Sequence, residues 1–124
     1  MELQALDHVA LAVRDVERSA RWYADVFGFE HQHPGQWGGT PVFIGTADAS
    51  IALFPLRNEV PGRQSGRPSI LHFAFRTSRA GFQSAQEELK ERGVDFEFQD
   101  HEISHSIYLR DPDGHEIEIT TYEL

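Results

Sequence analysis

Cysteine is absent from this chain of 124 residues, which excludes disulfides, thiolate nucleophiles and zinc–thiolate sites. Long apolar runs are absent too. Nothing approaches the roughly 20 apolar residues of a membrane-spanning helix, and the opening "MELQALDH" lacks the basic and apolar regions of a secretory signal. Positive charge is scarce: 11 Lys and Arg against 20 Asp and Glu give a net charge of −9, which disfavours nucleic acid and anionic membranes as partners. We therefore expect a cytoplasmic protein, long enough to build one domain with its own core. What the chain does have is seven histidines, and their placement carries the functional reading.

Two segments read alike. "HVALAV" (8–13) leads into "RDVERSARWYADVFGF", and "HFAFRT" (72–77) leads into "SRAGFQSAQEELKERGV". Each is an alternating strand headed by histidine, followed by an amphipathic helix. The first helix has Asp15 as its expected N-cap, Val16, Ala20, Tyr23 and Phe27 on one face, and Gly28 as its stop. The second carries Phe82, Ala85 and Leu89 on one face and ends at Gly93. Short strands follow each helix: near 30–33, 41–44 and 50–54 in the first half, and near 95–98, 105–110 and 116–122 in the second. Both halves thus read βαβββ within a single α+β domain. Module one spans about 5–56 and module two about 69–124. The linker of about 57–68 is rich in Pro, Gly, Ser and Arg.

Strand alternation sorts the side chains. Val9, Leu11 and Val13, like Leu71, Phe73 and Phe75, form the large apolar sets that must cover the helices. His8 and His72 then fall on the opposite, concave face, each beside a small alanine. In "SIYLRDPDGHEIEI" (106–119) a turn centred on Asp113 sets Tyr108 opposite Glu118, Arg110 opposite Glu116 and Ser106 opposite Thr120. Arg110 accounts for Glu116 as a cross-strand ion pair. Glu118 has no such basic partner, and an inward carboxylate is costly unless something positive meets it. A single inward histidine is commonly a hydrogen-bonded core residue. Two at matching repeat positions, with an acid on the same face, point to a ligand set of His8, His72 and Glu118 for a divalent metal.

The chain resembles the vicinal oxygen chelate superfamily of glyoxalase I, extradiol dioxygenases, fosfomycin-resistance enzymes and bleomycin-binding proteins. The resemblance rests on "LDHVALAV", the Asp15–Ser19–Trp22–Tyr23 helix pattern and "YLRDPDGHEIEI". It implies two βαβββ modules forming a cupped eight-stranded mixed sheet with helices outside, holding a metal on His8, His72 and Glu118. Glyoxalase I enzymes add a fourth ligand on the last strand of the first module, where this chain has Ala52. The remaining triad leaves positions open for a substrate with adjacent oxygens. Extradiol dioxygenases carry a tyrosine ten residues before the glutamate, matched here by Tyr108, and an acid–base histidine, for which His101 and His105 are the candidates.

Fosfomycin-resistance enzymes share the triad and the tyrosine but have threonine where Ala10 stands, and their basic residues beyond the metal glutamate have no counterpart here. The resemblance therefore implies a metal-dependent enzyme, foremost an extradiol-like dioxygenase. A lyase, isomerase or thiol transferase is the alternative, and a metal-free sequestering protein is the contrast from another class. Fe(II) or Mn(II) is the expected cofactor, with Zn(II), Ni(II) or Co(II) also compatible. The expected partners are a small-molecule substrate and a second copy of the chain, with the site lying within one chain or shared between two.

Other residues have plainer readings. His31 and His33 precede "PGQWGG" and belong at a rim or surface, and His115 follows the turn glycine and should be exposed. Trp37, Phe43, Phe96 and Phe98 offer aromatic area near the concave face, or else core contacts. Arg57, Arg63 and Arg67 lie in the linker, as solvated charges or as a clamp for an anion.

Overall fold

The computed structural model describes residues 1–46, 48–56 and 68–124. Most of the linker, with Arg57, Arg63 and Arg67, lies outside the described residues. The chain forms two units, Met1–Pro61 and Gly62–Leu124. No helix among the described residues is long and apolar enough to cross a membrane.

In the first unit, β1 (Val9–Val13) leads into α1 (Val16–Phe27), followed by β2 (Glu30–Gln32), β3 (Val42–Thr46) and β4 (Ala49–Pro55). The Asp15 carboxylate accepts from Arg18 N at 3.0 Å and caps the helix, a contact contributing about 1 kcal/mol. Gly28 ends it with φ 69, a left-handed conformation that only glycine adopts freely. The strands form one mixed sheet in the order β1-β4-β3-β2, with β1 parallel to β4 and the other pairs antiparallel. Leu11, Val13, Ile44, Ile51 and Leu53 are buried with Tyr23 of α1 and Phe29. A Cβ on Gly45 would collide with the Ala49 carbonyl oxygen, so the β3–β4 crossing requires glycine there.

The second unit repeats the plan. β5 (Phe73–Arg76), α2 (Arg79–Glu91), β6 (Glu97–Asp100), β7 (His105–Arg110) and β8 (Glu116–Thr121) follow in order. The Ser78 hydroxyl caps α2 by accepting from Gly81 N at 3.1 Å. The sheet order is β5-β8-β7-β6, with β5 parallel to β8. Phe82 and Leu89 of α2 are buried, as are Ile107, Leu109, Ile117 and Ile119 of the sheet. Among the described residues the eight expected strands are therefore present as two four-stranded mixed sheets, each with one α-helix.

Two expectations need correcting, and one open alternative is decided. β6 begins two residues later than expected, because Val94 N still bonds to Leu89 O at 2.9 Å and the helix ending occupies the intervening chain. Leu71 was expected to cover a helix but is 80% exposed, since the strand starts only at Phe73. The sequence leaves Phe98 open between the concave face and core contacts. It meets Phe82 of α2, ring to ring at 6.4 Å, so it faces the helix.

Candidate metal centre

The β7–β8 hairpin sets the register of the site. Its turn is held by the Asp111 carboxylate, whose Oδ1 accepts from the backbone N–H groups of Asp113 and His115, both at 2.9 Å. Asp111 N also donates to His115 O at 3.0 Å. Pairing beyond the turn aligns Arg110 with Glu116, Tyr108 with Glu118 and Ser106 with Thr120, as the alternation requires. Arg110 Nη2 lies 3.9 Å from Glu116 Oε2, an exposed pair worth little energetically. His115 is half-buried within this turn rather than exposed.

Ile117 and Ile119 point to the buried side, which leaves Glu118 on the other face of β8 with a side chain only 12% exposed. Both of its oxygens are engaged. Ser106 Oγ donates to Oε1 at 2.6 Å, the short distance of a hydroxyl on a charged carboxylate. Ser106 Oγ also lies 2.9 Å from Thr120 Oγ1, and Thr120 donates to the His105 carbonyl at 3.3 Å. Oε2 lies 2.9 Å from His72 Nε2. β5 runs parallel to β8 with Ala74 beside Glu118, so the imidazole two residues earlier shares that face and reaches the carboxylate.

Tyr108 flanks this pair. Its ring stands edge-on to His72 at 5.6 Å, and its hydroxyl lies 2.9 Å from His101 Nε2. Burial, and then the negative charge of Glu118, raise the phenol's pKa above its ordinary value, so the protonated form is held. His101 is exposed, on the turn where its N–H bonds to Ser104 O at 2.9 Å. His105 is on the opposite face of β7. Its Nε2 lies 3.7 Å from Asp100 Oδ2 and its ring 5.2 Å from Phe98. It joins the helix side, away from the face that carries Tyr108.

His8 belongs to the first unit. Its Nδ1 lies 2.7 Å from Asp7 Oδ2, which assigns the ring proton to Nδ1 and leaves the Nε2 lone pair as a donor. The His8 ring packs edge-on against Phe43 at 4.9 Å. Trp37 and His33 also meet Phe43, at 5.1 Å and 5.7 Å. Trp37 has φ 54, a left-handed conformation that costs a bulky residue about 1–3 kcal/mol. Among the described residues no three ligating side chains are gathered into one group; the assembled element is the pair of His72 and Glu118. An imidazole and a nearly buried, oriented carboxylate are nonetheless donors that suit a divalent ion.

Two supporting contacts escaped the sequence reading. Asp7 stands next to His8 in "LDH", a legible signal. Ser106 was placed opposite Thr120 by register, but its bond to Glu118 is diagonal, and alternation alone does not assign it.

Residues 5–119 match the family model described as the Glyoxalase/Bleomycin resistance protein/Dioxygenase superfamily. The chain is 31% identical to the metallothiol transferase FosB of Staphylococcus epidermidis over 127 aligned positions, covering 100% of this chain and 86% of that protein. It is 29% identical to the glutathione transferase FosA of Serratia marcescens, covering 94% and 80% respectively. Among solved structures, the fosfomycin resistance protein FosX of Mesorhizobium loti superposes with a TM-score of 0.66 at 26% identity, over 97% of this chain and 93% of that one.

Proposed function

This chain belongs to the Glyoxalase/Bleomycin resistance protein/Dioxygenase superfamily, and from that membership we propose that it is a metal-dependent transferase. Its substrate would be a small molecule with adjacent oxygens, and the FosA and FosB relatives suggest a thiol as the second substrate. This reading departs from the dioxygenase that the motifs favoured. His8, His72 and Glu118 would hold the metal, in a homodimer.

The observation that carries the reading is the pair of His72 and Glu118. A carboxylate kept nearly out of water, one oxygen fixed by Ser106 and the other turned to an imidazole 2.9 Å away, is oriented for a cation. A divalent ion there, Fe(II) or Mn(II) first, with Zn(II), Ni(II) or Co(II) also compatible, supplies Lewis acidity at the substrate's oxygens. The chain's own residues do the rest. Asp7 holds His8 in the tautomer that presents Nε2. Ser106 fixes the plane of Glu118. Tyr108 keeps its proton and offers it to a substrate oxygen as negative charge develops, and His101 accepts or returns a proton through the phenol.

The test is metal analysis of the purified protein, followed by anaerobic loading with Mn(II) or Fe(II) and addition of fosfomycin with glutathione or cysteine. Thiol-dependent loss of substrate that stops on chelation is the expected result. Tight metal binding without turnover by any thiol removes the transferase. A protein that binds no metal, but does bind the substrate, is a sequestering module.

One observation favours a second reading, the extradiol-like dioxygenase: the Tyr108 hydroxyl meets an imidazole, that of His101, at 2.9 Å. Oxygen uptake by Fe(II)-loaded protein with catechols separates the two.

A further inference from the structure

The turn between β6 and β7 is tied more closely than an ordinary loop. Asp100 pairs with His105 at the end of the ladder, so residues 101–104 make the connection. Every backbone N–H from His101 to Ile103 is engaged. His101 N donates to Ser104 O at 2.9 Å, and Ile103 N to His101 O at 2.8 Å. Glu102 N donates to Asp100 Oδ1, also at 2.8 Å. Connecting segments are usually the mobile parts of a fold, whereas this one is closed on itself.

Glu102 sits in this turn with φ 70, a left-handed conformation that glycine takes freely and glutamate does not. The Glu102 carboxylate makes no hydrogen bond or ion pair among the described residues, so its own contacts do not account for the strain. Such strain persists only where the surroundings over-determine it. Here the determining contact is the Asp100 carboxylate, whose Oδ1 holds Glu102 N. Its Oδ2 lies 3.7 Å from His105 Nε2, beyond hydrogen-bonding distance, so the bond to Glu102 carries the constraint.

What the turn fixes is His101. Tyr108 stands three residues along β7 from His105, roughly 10 Å at the rise of a strand. The His101 imidazole leans back over that distance to set Nε2 2.9 Å from the phenol oxygen, with the two rings edge-on at 6.2 Å. An exposed histidine on a loose loop would spread over several rotamers instead.

We propose that Asp100 is a positioning residue for the pair of His101 and Tyr108: by holding Glu102 left-handed, its carboxylate aims the imidazole at the phenol. The proton-transfer role of that pair rests on the metal-dependent reading above, while the positioning rests on the turn itself. Without the Asp100 bond, Glu102 relaxes out of the left-handed region and carries His101 away from Tyr108. Glycine at 102 makes the bond dispensable, because it adopts the same conformation unaided.

The test reads the imidazole directly. Nitrogen-15 spectra of the side chain at about pH 8.5, where imidazoles are neutral, separate one fixed tautomer from the average of a free ring. His101 should show a fixed tautomer in the wild type and an averaged one in Tyr108→Phe and in Asp100→Ala. Asp100→Asn, which keeps an accepting oxygen, should retain the fixed form. The double variant Asp100→Ala with Glu102→Gly should recover most of it, and Glu102→Gly alone should raise the melting temperature by about 3 °C. In Mn(II)-loaded protein given fosfomycin and glutathione, Asp100→Ala should lower kcat about tenfold at unchanged KM, and the double variant should restore it.

A wild-type spectrum matching that of Tyr108→Phe, or an imidazole that stays fixed in Asp100→Ala, overturns the positioning. So does a double variant as disordered as Asp100→Ala. Disorder in Asp100→Ala with kcat unchanged overturns the part of His101 in catalysis. No turnover by the wild type removes the transferase, and the spectra then decide the positioning by themselves.

Discussion

Glu118 Oε2 and His72 Nε2 approach to 2.9 Å across the parallel β5–β8 pair, on the face turned away from Ile117 and Ile119. Two strands that are far apart in sequence thereby place an acid and an imidazole in hydrogen-bonding contact. The carboxylate is oriented from its other side by Ser106, so it meets a ligand without first having to be ordered.

If this pair ligates, its loss is felt in metal affinity before stability. Glu118→Gln and His72→Ala should each weaken Mn(II) binding at least a hundredfold in calorimetric titration, and His8→Ala should do the same while the far-ultraviolet dichroism stays unchanged. Retention of wild-type affinity in Glu118→Gln would remove the acid from the ligand set.

Ser106→Ala separates positioning from ligation. Its hydroxyl leaves Glu118 Oε1 and Thr120 short of a partner, a loss of about 1–3 kcal/mol for a buried polar group. Metal affinity should fall between tenfold and a hundredfold, as is typical when a residue supporting a ligand is lost. Ser106→Thr, which keeps the hydroxyl, should recover part of the affinity. A melting temperature that drops while metal affinity holds would make Ser106 purely structural.

Tyr108 gives the pH dependence. Burial and the nearby Glu118 charge raise its pKa in the folded protein, so the folded state holds this proton more tightly than the unfolded chain. The stability it contributes is full below the phenol's ordinary value of about 10. It is lost as pH rises through the higher folded value. Tyr108→Phe should flatten the decline in denaturation midpoint above pH 10, and an ultraviolet titration should lose its late-ionising tyrosine. An unchanged alkaline profile would count against this ionisation as the cause.

Gly45→Ala tests the scaffold. The added methyl meets the Ala49 backbone carbonyl, which cannot swing aside, so chemical denaturation should show a loss of about 2–3 kcal/mol, within the range for overpacking. Asp15→Ala, which removes only a helix cap, should lose about 1 kcal/mol. A Gly45→Ala protein as stable as Asp15→Ala would mean that β3 and β4 yield at that point.

Much of this was legible in the chain. Alternation in "SIYLRDPDGHEIEI" sets the hairpin register, because the turn chemistry and the two isoleucines admit only one face for the core. Asp15 and Gly28 mark the ends of α1 through the hydrogen bonds that helix termini require. Alternation also puts His72 and Glu118 on like-facing positions, though not as neighbours, since which strands adjoin depends on topology. Phe98 stayed open between two faces because β6 is short and its start depends on how α2 unwinds at Val94, a tertiary detail. The left-handed Trp37 was invisible, for no pattern announces that a tryptophan will head a glycine turn. Asp7 was visible but passed over, since its meaning depends on the tautomer of the next residue.

The Asp111 carboxylate, clamping the turn from Asp111 to His115, has a consequence for how this sequence tolerates change. Lengthening that loop by a single residue would slide β8 one step along β7 and swing Glu118 to the side occupied by α2, exchanging it with an isoleucine. Insertions that other surface loops absorb freely would here erase the acid from the site while leaving a recognisable sheet behind.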